Sequence, residues 1–246
     1  MRIALCIPTN GPPTWALFDS FGQWQKYHNE HHPEIEVDVI RPYRPMPVDM
    51  ARSYLVNQVL HRDYDYLWFV DQDAKFLPET VYRLLAWDKP VVGALCLIRG
   101  GEPCWVMAFG EQNDQGKYLM LNNEAFDYLR QYADCTTNGP QIIEPPAPGS
   151  LVDVTFTGCH CLLIKREVLL DMEPPWFNGA PGTEDRYFCL KAREAGYPIY
   201  VDFSTFVGHV TGERSLGVFD FMAHFRYWVH LEEVYGRRDG NESTEG

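Results

Sequence analysis

An α/β fold, a central sheet flanked by helices, is predicted by three features of the sequence. Short runs rich in aliphatic and aromatic residues, 3–9, 66–70 and 90–98, have the length and composition of buried strands. Between them lie segments with helical apolar spacing or helix-start signals, 15–28, 49–61 and 78–87. Each strand-like run then stops abruptly in residues able to bind something: Pro8-Thr9, Asp71-Gln72-Asp73 and Arg99-Gly100-Gly101. In open α/β sheets, ligand sites lie beyond the carboxyl ends of the strands.

Taken in order, residues 1–8 read as the first strand, and the prolines that follow cannot continue a ladder. Leu17, Phe18, Phe21 and Trp24 form the apolar stripe of the first helix. Residues 35–40 alternate, with Ile35, Val37 and Val39 on one side and Glu36 and Asp38 on the other. Residues 41–47 are too rich in proline for either element. Asp49 is placed to N-cap a helix reaching His61, and Pro78 opens another that reaches Trp87. Residues 104–109 and 118–121 pair as a hairpin across the turn signal Asn113-Asp114-Gln115-Gly116. The Pro- and Gly-rich segment 138–149 is expected to border the site. Residues 152–164 are β-rich, with Gly158 marking close approach of a backbone or ligand. A short helix spans 165–172, Thr183 caps a helix over 184–195, and 197–203 is the last strand, followed by a loop at 207–209. The aromatic segment 219–235 is a helix for docking on the core or on a second copy, and 237–246 is a polar tail expected to be disordered.

The chemistry centres on Asp71 and Asp73. Side chains alternate along an extended chain, so these two carboxylates face one way while Gln72 points across. Two hard oxygen ligands suit Mg²⁺ or Mn²⁺ when a substrate's phosphates complete the shell; the plain alternative is a solvated acidic turn. Arg52 falls in a helix first turn, where the dipole disfavours a cation. It either meets a bound phosphate or base there, or pairs with Asp49. Arg99 is a phosphate or carboxylate contact, or an exposed turn arginine. Trp176 stacks on a sugar face or plugs the core. Capping alone accounts for Thr183, Glu184 and Asp185.

Composition narrows the class. The 246-residue chain carries a formal charge of −13, so it gains nothing from counterion release on nucleic acid. It has no apolar stretch of membrane-spanning length and no secretory leader pattern, which predicts a cytoplasmic protein. Seven cysteines without a Cys-x-x-Cys pair predict free thiols. Cys159-His160-Cys161, read as a strand, puts both sulfurs on one face and His160 on the other, favouring core cysteines over a zinc site.

Several motifs occur in a telling order: the strand ending in Pro8-Thr9, the helix-opening Ala51-Arg52-Ser53, Asp71-x-Asp73, Thr183-Glu184-Asp185 after the loop holding Trp176, and Gly208-His209. Over residues 1–211 this pattern resembles the nucleotide-sugar glycosyltransferases of the A-type fold, in particular retaining members such as mannosylglycerate synthase. The resemblance implies a Rossmann-like fold with a mixed central sheet. It implies one domain over 1–236, with a nucleotide-sugar half, 1–125, and an acceptor half, 126–236. Asp71, Asp73 and His209 would hold Mn²⁺ or Mg²⁺ beneath a UDP- or GDP-sugar. Pro8, Thr9, Arg52, Gln72, Arg99 and Gly158 would contact the donor, and Trp176 the acceptor. Asp185, or Glu184, would orient or deprotonate the acceptor hydroxyl. A nucleotidyltransferase would instead show a Gly-rich basic signature after the first strand, which Asn10-Gly11-Pro12-Pro13 matches poorly. A non-catalytic sugar-nucleotide-binding protein remains the third alternative, and a homodimer through 219–235 is open.

Overall fold

The structure, a computed structural model, describes residues 1–9, 11–98, 105–132, 149–180, 182–211, 214–216, 220–222 and 224–226. Arg99, the segment 138–148 and the tail 237–246 lie outside the described residues, as does most of 219–235.

The first elements run β1 (Arg2–Cys6), α1 (Trp15–His31), β2 (Glu36–Ile40), α2 (Val48–Leu60), β3 (Tyr66–Val70), β4 (Ala74–Lys75), α3 (Thr80–Ala86) and β5 (Val91–Leu95). A hairpin of β6 (Ala108–Gln112) and β7 (Tyr118–Met120) leads into α4 (Asn122–Tyr132). Then come β8 (Leu151–Val154), β9 (Phe156–Thr157), β10 (Cys161–Lys165), α5 (Arg166–Leu170), α6 (Glu184–Glu194), β11 (Ile199–Phe206), β12 (Gly208–Thr211) and β13 (Arg214–Leu216).

Seven strands form the main sheet in the order β2-β1-β3-β10-β5-β11-β8. β1 is parallel to β2 and β3, and β11 to β5, whereas β10 runs antiparallel between β3 and β5. The sheet is therefore mixed, as the resemblance implies. β3 is buried on both faces. Leu67 and Phe69 enter one apolar layer with Leu55, Val59 and Phe188, while Trp68 and Val70 enter the other with Trp24, Phe76 and Val81. A run without polar alternation can only be a strand covered on both sides.

Antiparallel insertion of β10 is the topological fact that builds the site. Cys161 pairs with Val70, so the residues just before β10 lie beyond the carboxyl end of β3, where the amide of Asp71 donates to the carbonyl of His160 at 3.0 Å. β12 then pairs antiparallel with β4, setting His209 opposite Ala74. The predicted loop at 207–209 is thus partly a strand: the short β4 just after the acidic turn offers it a pairing edge.

Other expectations shift for local reasons. Asp49 is not the N-cap of α2: the helix begins at Val48, after Pro47, and Asp49 in its first turn accepts from the amide of Gly179 at 3.3 Å. β2 is an edge strand, so Val39 is exposed while Ile40 turns into the core. Phe18 of the first-helix stripe is likewise exposed. Cys159 and Cys161 pack into opposite layers, because residues 159–160 form a turn rather than strand. Helix α4, which the sequence reading missed, buries Ala125, Tyr128 and Leu129, an i, i+3, i+4 stripe hidden among polar neighbours. Thr183 does cap α6, its hydroxyl accepting from the amide of Arg186. The hairpin is also present, with Asn113 Oδ1 accepting from the amides of Gln115 and Lys117 around Gly116 at φ 74°. Cys6, Cys96, Cys159, Cys161 and Cys189 are buried free thiols. Phe221, Met222 and Phe225 pack into the core. No helix among the described residues is long and apolar enough to cross a membrane.

Candidate active site

β3 ends at Val70, and Asp71 to Asp73 form a tight turn closed by the Ala74 amide donating to the Asp71 carbonyl at 3.1 Å. The extended geometry assumed for Asp71-x-Asp73 is therefore absent, yet the two carboxylates still converge. His160 Nδ1 lies 3.4 Å from Asp71 Oδ2 and 3.8 Å from Asp73 Oδ1. His209 Nε2 lies 3.4 Å from Asp73 Oδ2, and the two imidazole centroids are 4.3 Å apart. Asp73, His160 and His209 each present a ligand atom, all within 4.8 Å of one another.

The second nitrogen of each ring fixes what the first can do. His160 Nε2 is 3.2 Å from the carbonyl of Gly208, and His209 Nδ1 is 2.9 Å from that of Leu97. A carbonyl only accepts, so both of these nitrogens carry the proton. In the neutral rings, His160 Nδ1 and His209 Nε2 are then lone pairs aimed at the Asp73 carboxylate. Lone pairs and carboxylate oxygens cannot be held this close without a cation among them, either an added proton or a metal ion. An imidazole whose far N–H is anchored on a backbone carbonyl is the usual outer support of a metal-ligating histidine. His160 is 2% exposed, and among the described residues its Nδ1 has no hydrogen-bond partner. The residues present therefore fit a divalent ion, and a nitrogen-oxygen donor set favours Mn²⁺ over the oxygen-loving Mg²⁺.

Burial works against the His209 imidazolium, but its bonds to Asp73 and the Leu97 carbonyl outweigh that, raising its pKa above the ordinary 6.5. Burial likewise pushes Asp73 up, and His209 and His160 more than offset it, holding Asp73 below the usual range. Protons and metal compete for the same atoms. Mn²⁺ affinity is expected to fall as pH drops through the His209 pKa, with the loss beginning above 6.5. Without metal the sign reverses: the His209–Asp73 bond stabilises the fold fully below pH 6.5 and is lost as pH rises through the raised value. Mn²⁺ titrations and melting curves across pH 5.5 to 8.5 would check both; a metal affinity independent of pH there would exclude His209 as a ligand.

Behind this group sits Arg52. It is 1% exposed, and its guanidinium lies over the rings of Phe69, at 5.1 Å, and Phe177, at 6.0 Å. Nη2 is 3.0 Å from Asp71 Oδ1; Nε is 3.5 Å from Glu184 Oε1 and 3.6 Å from Asp185 Oδ1. Nη1 donates to the carbonyl of Cys159. Of the alternatives open from sequence, pairing with Asp49 is not realised: the cation neutralises the acids of the site instead. Burial raises Asp71, but Arg52 and then His160 outweigh it, so Asp71 stays ionised below its usual range.

Asp185 lines a cavity of about 350 Å³ together with Ile98, Met107, Phe109, Phe156, Gly158 and Arg186. Burial above all, with Glu184 and Asp71 adding repulsion, pushes its carboxyl up to about 6 against the pull of Arg52. Gly158 faces Met107: a Cβ there would stand 1.7 Å from the Met107 sulfur. Pro8 is buried and Thr9 half-buried just beyond β1, level with Asp71 by the register of Cys6 with Phe69. Gln72 ties the acidic turn to the loop before α1, its Oε1 accepting from Gly11 and its carbonyl from Thr14. Trp176 packs against the core and donates its indole N–H to the carbonyl of Leu169, the contact expected of a plug.

His160 is the site residue that sequence reasoning set aside. Its signal was Gly158, which interrupts the β-rich run and lets residues 159–160 turn before β10 begins; an unbroken strand would have sent the imidazole elsewhere.

No protein-family model matches the sequence, and neither does any curated protein sequence. Solved structures do. A197 from STIV aligns with a TM-score of 0.55 at 19% identity, covering 88% of this chain and 90% of that one. GalNAc-T7 with UDP, GalNAc and Mn²⁺ aligns with a TM-score of 0.51 at 12% identity, covering 85% of this chain and 44% of that one. This chain thus matches less than half the length of GalNAc-T7. The fold is that of the A-type glycosyltransferases.

Proposed function

We propose that this protein is a metal-dependent glycosyltransferase, moving a sugar from a nucleoside diphosphate donor, UDP or GDP, to an acceptor hydroxyl. The observation that carries the proposal is the convergence of two carbonyl-anchored imidazoles on Asp73 at the carboxyl edge of an A-type sheet. GalNAc-T7, crystallised with UDP and Mn²⁺, has the same fold, which supports placing a diphosphate there. A divalent ion held by Asp73, His160 and His209, with Asp71 beside them, would supply positive charge to the departing diphosphate.

The chain's own residues do the rest. Asp71 is kept ionised and oriented by Arg52. Pro8, Thr9 and Gln72 border the donor on the β1 side, and Arg99, placed by the sequence pattern alone, would add a phosphate contact. Asp185, facing the cavity, holds the acceptor hydroxyl. As the acceptor oxygen bonds to the anomeric carbon, the bond from that carbon to the diphosphate oxygen breaks and its electron pair leaves with the diphosphate. In an inverting reaction Asp185 takes the hydroxyl proton directly; in a retaining one it positions the acceptor and the proton passes to the departing diphosphate oxygen.

Incubation with a panel of nucleoside diphosphate sugars and Mn²⁺ tests the proposal by release of free nucleoside diphosphate. Release from no donor, with or without small alcohols, would end it. Asp185→Asn is expected to lower turnover by about a hundredfold or more while leaving donor affinity within about twofold, since general-base terms are of that size. Wild-type rate should fall as pH drops below about 6, where Asp185 takes up its proton. An Asp185→Asn enzyme with full turnover and a lowered melting temperature would reduce this residue to helix capping.

A further inference from the structure

Arg186, the residue after Asp185, lines the same cavity but belongs to none of the ion pairs around it. Arg2, Arg52, Arg83, Arg166 and Arg193 each lie against an acid. Among the described residues the Arg186 guanidinium has no acidic partner and donates no hydrogen bond, in a chain whose formal charge is −13. It is held by aromatic faces instead, 4.8 Å from the centroid of Tyr118 and 6.0 Å from that of Phe156. Stacking occupies the faces of a guanidinium and leaves its N–H groups, which point outward in its plane, available for a bidentate anion.

The rest of the cavity says what surrounds that anion. Ile98, Met107, Phe109 and Phe156 make its walls apolar, and Asp185 is its carboxylate. At about 350 Å³ it lies at the small end of ligand pockets, so it suits a small molecule or one terminal unit of a larger one.

We infer that this cavity takes a hydroxylated acceptor bearing a carboxylate or phosphate, its anion docked on Arg186 and its hydroxyl directed to Asp185. The anion preference follows from Arg186 and the cavity alone; the word acceptor rests on the glycosyltransfer proposal. A ligand without charge would leave the guanidinium unpaired and fill only the apolar walls.

Three probes sharing one ring separate the terms: glucose, glucuronate and glucose 6-phosphate, titrated calorimetrically into the full-length protein with Mn²⁺ present. At least one anion is expected to bind about tenfold or more tightly than glucose, the scale of a charge-assisted hydrogen-bonded pair. Which anion wins distinguishes a carboxylate acceptor from a phosphorylated one. Arg186→Gln should bring the three probes within about twofold of one another, and Arg186→Lys, which keeps charge but not the fork, should retain part of the preference. Equal binding of all three, no binding of either anion, or an undiminished preference in Arg186→Gln would overturn the inference. So would a matching loss of UDP or GDP affinity in Arg186→Gln, which would assign the arginine to the donor. An anion preference that vanishes with Arg186, in a protein that releases nucleoside diphosphate from no donor, would keep the anion site and discard the glycosyltransfer proposal.

Discussion

Asp73→Asn is expected to lower Mn²⁺ affinity by about a thousandfold and to remove nucleoside diphosphate release with it. Asp73 is the only carboxylate in the three-residue group whose ligand atoms converge. Each unit of charge at about 4 Å in a site of effective dielectric about 20 contributes roughly 4 kcal/mol, and an amide replaces none of it. The fold should survive, because Asp73 sits in a turn beyond β3 and outside both apolar layers. Calorimetric Mn²⁺ titration of wild type and variant decides the matter, with a metal-free melting curve as control. An affinity within tenfold of wild type would move the ion elsewhere. His160→Ala belongs in the same experiment: a comparable loss there would establish as a ligand the histidine that the sequence pattern had set opposite the core cysteines.

The second large effect is on stability. Arg52→Met should lower the unfolding free energy by about 3 kcal/mol, the lower end for breaking a buried ion pair, since the acidic partners keep some contact with water. For a chain of this size that corresponds to roughly 10 °C in melting temperature. Methionine preserves much of the volume against Phe69 and Phe177, so the loss reports carboxylates left without their cation. Arg52→Lys should recover part of it, because an ammonium can reach one acid but cannot span Asp71, Glu184 and Asp185 together. A melting temperature equal to wild type for Arg52→Met would show that the acids relax into solvent at no cost.

Periodicity made the layers of this protein legible but not its corners. The run 66–70 could only be a strand covered on both faces, and Asp71 and Asp73 stood out because they ended it. Thr183 announced α6 through capping chemistry alone. What stayed hidden depends on contacts between distant segments. The strand status of Gly208 and His209 is created by pairing with β4, two residues long and invisible on its own. His160 is aimed by the turn that precedes an antiparallel strand, and no local pattern states which neighbour that strand will choose. Arg52 looked misplaced at a helix start; the partners that resolve the conflict lie 19 and 132 residues away.

Those separations carry a consequence for how the protein is made. The atoms proposed to hold the metal come from the end of β3, the turn before β10 and the start of β12, and His209 leans on a carbonyl 112 residues earlier in the chain. A nascent polypeptide that has not yet released residue 209 from the ribosome has an incomplete ligand set, however well its first strands have paired. Divalent cation would therefore act on the finished protein and not on its precursors, adding stability by mass action only after the last long-range closure. Manganese protection against proteolysis would then report completion of the chain, switching on between a fragment ending before His209 and one that includes β12.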